Sequence, residues 1–264
     1  MSTQDCMIVV AKLRTDREFT RKCVRWCSFV TQTFIGFLGA SISPDSCLVV
    51  MELMALGSLR SFYRAKQTEQ PRWLPSKSQA RSWSLDLVRA VNYLHQSDPA
   101  VTHRDLRPET VFLAASGVLK VSGFGRCRMR PWRRASRTAR LSLQGVDLLL
   151  PTEPDSDRRS PCLSRDSGYV APELRRDPEQ AGDGVDVFAA AMLICFMYTG
   201  RDPQPPAGSG SESRPWAAPA GLGRGSLAAA LTRAGSDDAT ARPTANELID
   251  LLEGVRRGPA CRVS

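Results

Sequence analysis

A chain of 264 residues with 42% hydrophobic content is long enough and apolar enough for a globular domain with a real core. Its net charge of +9 is concentrated: seven arginines between Arg126 and Arg140, with no acid among them, carry +7 and leave +2 for the rest, which argues against a globally basic nucleic-acid binder. The N-terminal residues lack the charged, apolar and small-residue order of a signal peptide, and the longest apolar run, 12 residues from Val187 to Tyr198, is too short to cross a bilayer; a soluble intracellular protein, cytoplasmic and without membrane contact, is expected.

In chain order, Met7 to Leu13 is a short β-branched run that predicts a buried strand with Lys12 at its end. Arg17 to Val30 reads as a thinly patterned helix. Cys23 and Cys27 within it stand four apart and would supply two ligands, not a complete metal site. The eight cysteines include no C-x-x-C pair, and reduced thiols are expected. Phe34 to Ile42 and Cys47 to Leu53 are strand candidates around the turn chemistry of Ser43-Pro44-Asp45. Ala55 to Ser58 breaks the pattern.

Helix dominates the remainder of the chain. Leu87, Ala90, Val91 and Leu94 recur at helical spacing, with Trp83 one turn earlier. Val111 to Ala114 and Val118 to Ser122 flank Ser116-Gly117 as a hairpin would. Arg126 to Arg140 shows no apolar periodicity and reads as a loop-like basic insert; Trp132 within it invites a nucleic-acid reading, but a charged loop needs no ligand. Asp186 to Tyr198 is apolar nearly all round, as a helix buried in a core would be. Asp202 to Gly225 has the Pro, Gly, Ser and Ala content of a flexible stretch. Leu248, Leu251, Leu252 and Val255 form a last helical stripe, started by a capping box of Thr244 and Glu247.

The run His103-Arg104-Asp105-Leu106-Arg107-Pro108-Glu109-Thr110 reads as H-R-D-L-K-P-x-N with two letters changed. Gly123-Phe124-Gly125 follows a strand, where D-F-G would stand. Gly168 to Glu173 resembles the end of an activation segment, Asp186-Val187-Phe188 opens the long apolar helix, and Arg242-Pro243-Thr244 comes late. With these five motifs in order, from about Val9 to Leu252, the chain resembles a eukaryotic protein kinase domain, nearest the tyrosine-kinase-like serine/threonine group.

That resemblance implies an α+β, two-lobed fold. Residues 1–54 would be a reduced N-terminal lobe of strand, helix and two strands. Residues 55–257 would be a helical C-terminal lobe carrying the basic insert 126–140 and the flexible stretch 202–225, and 258–264 a tail. Glu173 and Arg242 would form a bidentate pair, Asp186 would hold the catalytic-loop backbone, and His103 would stack with Phe124.

The resemblance also places the chemistry. Asp105 stands at the proton-acceptor position, and Arg107 replaces the family's lysine. Lys12 would reach the nucleotide phosphates, Met51 would be the gatekeeper, and Glu52 to Met54 the hinge that holds adenine. The two metal-ligand positions are Thr110 and Gly123, so magnesium is in doubt and ATP binding is expected to be weak at most. The glutamate that should pair with Lys12 falls at Lys22, with Glu18 one turn earlier. The threonine that usually bonds the catalytic aspartate falls at Asp166 or Ser167. Only 11 residues precede Lys12, too few for a Gly-rich phosphate loop; either that loop is lacking or the chain is a fragment of a longer product. Arg133-Arg134-Ala135-Ser136 resembles a target of basophilic kinases, with Ser136 as the phosphosite.

The first reading is a catalytically impaired pseudokinase that acts by binding protein partners in signalling. The alternative is an active ATP-dependent serine/threonine kinase. A basic-loop binding module and a truncated product rank below these two.

Overall fold

The computed structural model describes residues 11–13, 32–42, 47–129, 138–143, 146–151, 168–179, 181–203 and 225–254. The expected helix over Arg17 to Val30, with Glu18 and Lys22, lies outside them, as do Asp166, Ser167, Trp132, Ser136 and most of the 202–225 stretch.

The chain is α+β. β1 (Ala11–Leu13) and β2 (Phe37–Ile42) flank β3 (Cys47–Met51) in an antiparallel sheet of order β1-β3-β2. Lys12 pairs with Leu48 in the ladder. The strand expected from Phe34 begins later, at Phe37. Phe34 instead leaves this sheet to bridge Val121 in parallel, and the Gly36 carbonyl accepts the Glu52 amide at 2.8 Å. The stretch between is therefore a crossing that joins the sheet to the rest of the fold.

Ser58 caps α1 (Leu59–Glu69) by accepting the Ser61 amide. The sequence pattern did not reveal this helix, since only Leu59 and Tyr63 are buried and a two-residue stripe carries no period. α2 (Lys77–Gln96) buries the foreseen face of Trp83, Leu87, Ala90, Val91 and Leu94. β5 (Val111–Leu113) and β6 (Leu119–Val121) form the expected hairpin.

The loop-like reading of Arg126 to Arg140 is corrected at both ends. Arg126 closes a 3-10 turn, Phe124–Arg126, and β7 (Arg128–Met129) pairs with β4 (Val101–Thr102). β8 (Thr138–Leu143) then pairs with β9 (Val146–Pro151) in a hairpin. The β4–β7 partners are distant in sequence, so a window of the basic run alone cannot show their pairing. Residues 130–137 lie outside the described set.

A short helix α3 (Pro172–Arg176) precedes α4 (Gly184–Thr199), which is buried continuously from Val185 to Met197. α5 (Ser226–Ala234) and α6 (Ala245–Glu253) complete the helices, the latter with the predicted capping box of Thr244 and Glu247. α2 packs against α4, α6 and β6, and α5 packs against both α4 and α6. Each fully buried Leu or Phe in this core contributes roughly 1.5–3 kcal/mol relative to exposure. No helix among the described residues is long and apolar enough to cross a membrane.

Candidate active site

The first turn of α4 aims Asp186 into the core beneath the loop after β4, where its side chain is wholly buried. Its carboxylate accepts the amides of His103 at 2.7 Å and Arg104 at 2.8 Å, with His95 Nε2 at 2.9 Å. Burial pushes this carboxyl up, but the His95 contact, nearby His103 and the Arg104 amide outweigh it and hold it below its ordinary range. These bonds fix Arg104 at φ 66, a left-handed conformation uncommon for a side-chain-bearing residue.

The His103 ring lies on the other side of this anchor. Its Nδ1 accepts the Asp105 amide at 3.2 Å, so the proton sits on Nε2 and is donated to the Ser122 carbonyl at 2.8 Å. The His103 ring meets Phe124 at 5.2 Å, tilted by 56°, and Phe124 meets Phe34 at 5.6 Å. These contacts run from the 34–36 crossing to the 103–113 loop; the resemblance implied the meeting of His103 with Phe124, which is tilted rather than stacked, and did not include Phe34.

Asp105, Arg107, Thr110 and Gly123 come together on this scaffold, and Arg126 joins them. Arg107 Nε approaches Asp105 Oδ1 at 3.2 Å and Arg126 Nε approaches Oδ2 at 3.9 Å. Both are ion pairs by distance, while the Arg107 Nε–H is buried without an aligned acceptor among the described residues. Burial pushes the Asp105 carboxyl up, against the pull of Arg107, His103 and Arg126, and the net shift is upward. Asp105 lines a small cleft with Arg104, Arg107, Tyr169, Val170 and Leu174, with a volume of about 10 Å³, room for one water.

The two metal-ligand positions present no ligand to that cleft. The Thr110 hydroxyl accepts the Arg107 amide at 3.1 Å and shares its proton between the Asp105 carbonyl at 2.7 Å and the Arg107 carbonyl at 3.1 Å. It is a staple of the loop, in a residue only 8% exposed. Gly123 offers no side chain. Divalent magnesium wants carboxylate or carbonyl oxygens in a near-octahedral set, and the residues at these two positions do not fit it. Among the described residues, no group of three or more His, Cys, Asp and Glu side chains could hold a metal ion.

The predicted nucleotide residues are placed less completely. Lys12 lies on β1 by its backbone register. Met51 ends β3 and is half-buried, and Met54 is buried. Glu52 has its carboxylate engaged: Lys120 Nζ reaches Oε1 at 2.6 Å and Oε2 at 2.8 Å, and the Gly36 amide donates to Oε2 at 3.0 Å. No motif in the sequence pairs Lys120 with Glu52. The signal was the β6 alternation, which buries Leu119 and Val121 and turns Lys120 to the other face. Arg126 was legible only as one member of the basic run.

A protein-kinase-domain family model matches residues 15–218. The chain is 29% identical over 193 residues to a probable serine/threonine-protein kinase, drkC, of Dictyostelium discoideum, covering 71% of this chain and 22% of that protein. It is 29% identical over 171 residues to serine/threonine-protein kinase 12 of Arabidopsis thaliana, covering 64% and 31%. To integrin-linked protein kinase 1 of Arabidopsis thaliana it is 34% identical over 96 residues, covering 36% and 19%. The chain thus spans about a fifth to a third of the length of these relatives.

Proposed function

The chain belongs to the protein kinase domain family, and we propose that it is a catalytically silent member, a pseudokinase that acts by binding other proteins in signalling. One observation carries this reading: the Thr110 hydroxyl is spent on the loop's own backbone while position 123 has no side chain at all. Phosphoryl transfer is mostly positioning and charge neutralisation around a metal-bound phosphate, so a base without metal ligands beside it does little. The residues that hold the architecture, Asp186, His103, Phe124, Glu173 and Arg242, are meanwhile all present and engaged.

Adenine recognition is a separable property. It needs backbone groups, and the Glu52 carbonyl and Met54 amide take no partner among the described residues, so weak metal-independent ATP binding fits this reading. Thermal unfolding with ATP, with and without magnesium, beside a phosphate-transfer assay on protein substrates, tests it. The expected result is no magnesium-dependent rise in melting temperature and no transfer. A magnesium-dependent rise together with transfer that disappears in Asp105→Asn would sink it.

The second reading, an active serine/threonine kinase, draws on Asp105 itself. Its carboxyl is raised by burial and lines a cleft, as a proton acceptor's would be.

A further inference from the structure

The structure assigns the loss of the divalent-metal site to one mutually packed pair: Thr110 and Gly123 are fitted to each other, so that a side chain at 123 is accommodated only when the Thr110 methyl is gone. This rests on the silent-kinase reading and deepens it, because it makes the two missing ligands one structural feature.

Gly123 sits at φ 86, ψ 35. A Cβ built there would lie 2.7 Å from Thr110 Cγ2 and 3.0 Å from Thr110 Cβ. Carbon atoms pack at about 3.5–4.0 Å, so something must move. Thr110 is poorly placed to do so. Its β-branched side chain is stiff at χ1, and turning the methyl away would swing Oγ1 off the Arg107 amide and the Asp105 and Arg107 carbonyls. The backbones cannot part either. The Ser122 amide donates to the Thr110 carbonyl at 2.9 Å, and Val111 pairs with Val121 in the adjoining ladder. On the far side, His103 Nε2 holds the Ser122 carbonyl.

Two penalties therefore meet any side chain at position 123. One is the left-handed backbone, which aspartate tolerates better than most residues. The other is the Thr110 methyl, which no choice of side chain at 123 avoids, since the conflict begins at Cβ. An aspartate at 123 alone collides with Thr110, and an asparagine at 110 alone faces a glycine. The carboxylate at 123 therefore does not return unless position 110 changes with it.

A double-mutant cycle on the full chain reads this directly, using Thr110→Ser and Gly123→Ala and following thermal unfolding. Serine keeps the hydroxyl staple and removes only Cγ2. The backbone strain of alanine at 123 and its 3.0 Å contact with the Cβ of residue 110 are common to both backgrounds and cancel in the cycle, which leaves the methyl contact at 2.7 Å. The expected result is that G123A lowers the melting temperature more in the wild-type background than in the T110S background, by roughly 3–8 °C. Loss of folding in the wild-type background but not in the T110S background supports the fitted pair equally. An equal drop in both backgrounds, or failure to fold in both, overturns it. Magnesium-dependent transfer by the wild type overturns the silent-kinase reading instead, and leaves the cycle to stand or fall alone.

Discussion

Arg60 and Asp202 meet guanidinium to carboxylate, Nη2 to Oδ1 at 2.5 Å and Nη1 to Oδ2 at 2.9 Å, across 142 residues of sequence. Arg60 Nε also reaches Glu109 in the 103–113 loop at 2.8 Å, and the guanidinium lies 4.8 Å over the Phe196 ring. Asp202 takes the Tyr169 hydroxyl at 2.8 Å, and a Cβ on Gly168 would run into the Pro203 carbonyl. One guanidinium therefore joins the aspartate loop, the Gly168–Tyr169 turn and the segment after α4.

Arg60→Ala should cost about 2 kcal/mol in urea unfolding, near the lower end for charge-assisted bonds because both carboxylates are partly exposed. Arg60→Lys should recover less than half of that, since an ammonium cannot fork onto two carboxylates while lying over a ring. A loss under about 0.5 kcal/mol for the alanine variant, within the range of ordinary surface substitutions, would show that the three segments hold without this joint.

The Glu173–Arg242 pair should be costlier to break. Arg242 is 1% exposed at its side chain, with Nη1 2.6 Å from Oε1 and Nη2 2.9 Å from Oε2. Two further donors, Nε and the second N–H of Nη1, go to the Ser236 and Gly184 carbonyls. Glu173→Ala strands a buried guanidinium without counter-charge, and a loss of about 3 kcal/mol is expected in denaturant titration. A near-neutral result would mean that the carbonyls alone satisfy Arg242.

What the sequence disclosed and what it hid divide along one line. Asp186, His103, Phe124 and the Glu173–Arg242 pair were legible because a motif fixes each residue and its partner together. The α2 and α6 faces were legible because apolar spacing and the Thr244–Glu247 box are local signals. Arg60 with Asp202, Lys120 with Glu52, and Arg126 beside Asp105 were not, because each pairing is made by the fold and neither partner marks the other. Thr110 and Gly123 fall between. Their poor fit to magnesium is expected from residue type, but their contact depends on the φ of Gly123 and on the β5–β6 register.

Lys120→Met tests the tie at the end of β3. Lys120 and Glu52 connect β6 to the residue after Met51, and the Gly36 amide adds the 34–36 crossing. Burial pushes the Glu52 carboxyl up, yet the Lys120 and Gly36 bonds outweigh it and the net shift is downward. A carboxyl lowered on folding contributes stability above its unfolded pKa and loses it as pH falls through the folded value. The variant should therefore be about 1 kcal/mol less stable near neutral pH, a modest figure because Glu52 is 35% exposed. Wild type and variant should converge once the carboxylate is protonated. A constant gap across that titration would assign the loss to packing of the lysine stem.

His103 should make the fold sensitive to mild acid. Burial holds its imidazole below the ordinary value of 6.5, against the pull of Asp186, the Ser122 carbonyl and Asp105. The neutral ring accepts the Asp105 amide at Nδ1, and a second proton there would set two N–H groups against each other. A histidine whose folded pKa lies below its unfolded one leaves the unfolded chain binding more protons between the two values. Stability is then fully present above pH 6.5 and declines as pH falls through the window beneath it. Unfolding free energies at about pH 7.5 and about pH 5.5 should show that decline in the wild type, and His103→Gln, which does not titrate, should flatten it. An equal slope in both proteins would place the sensitivity elsewhere.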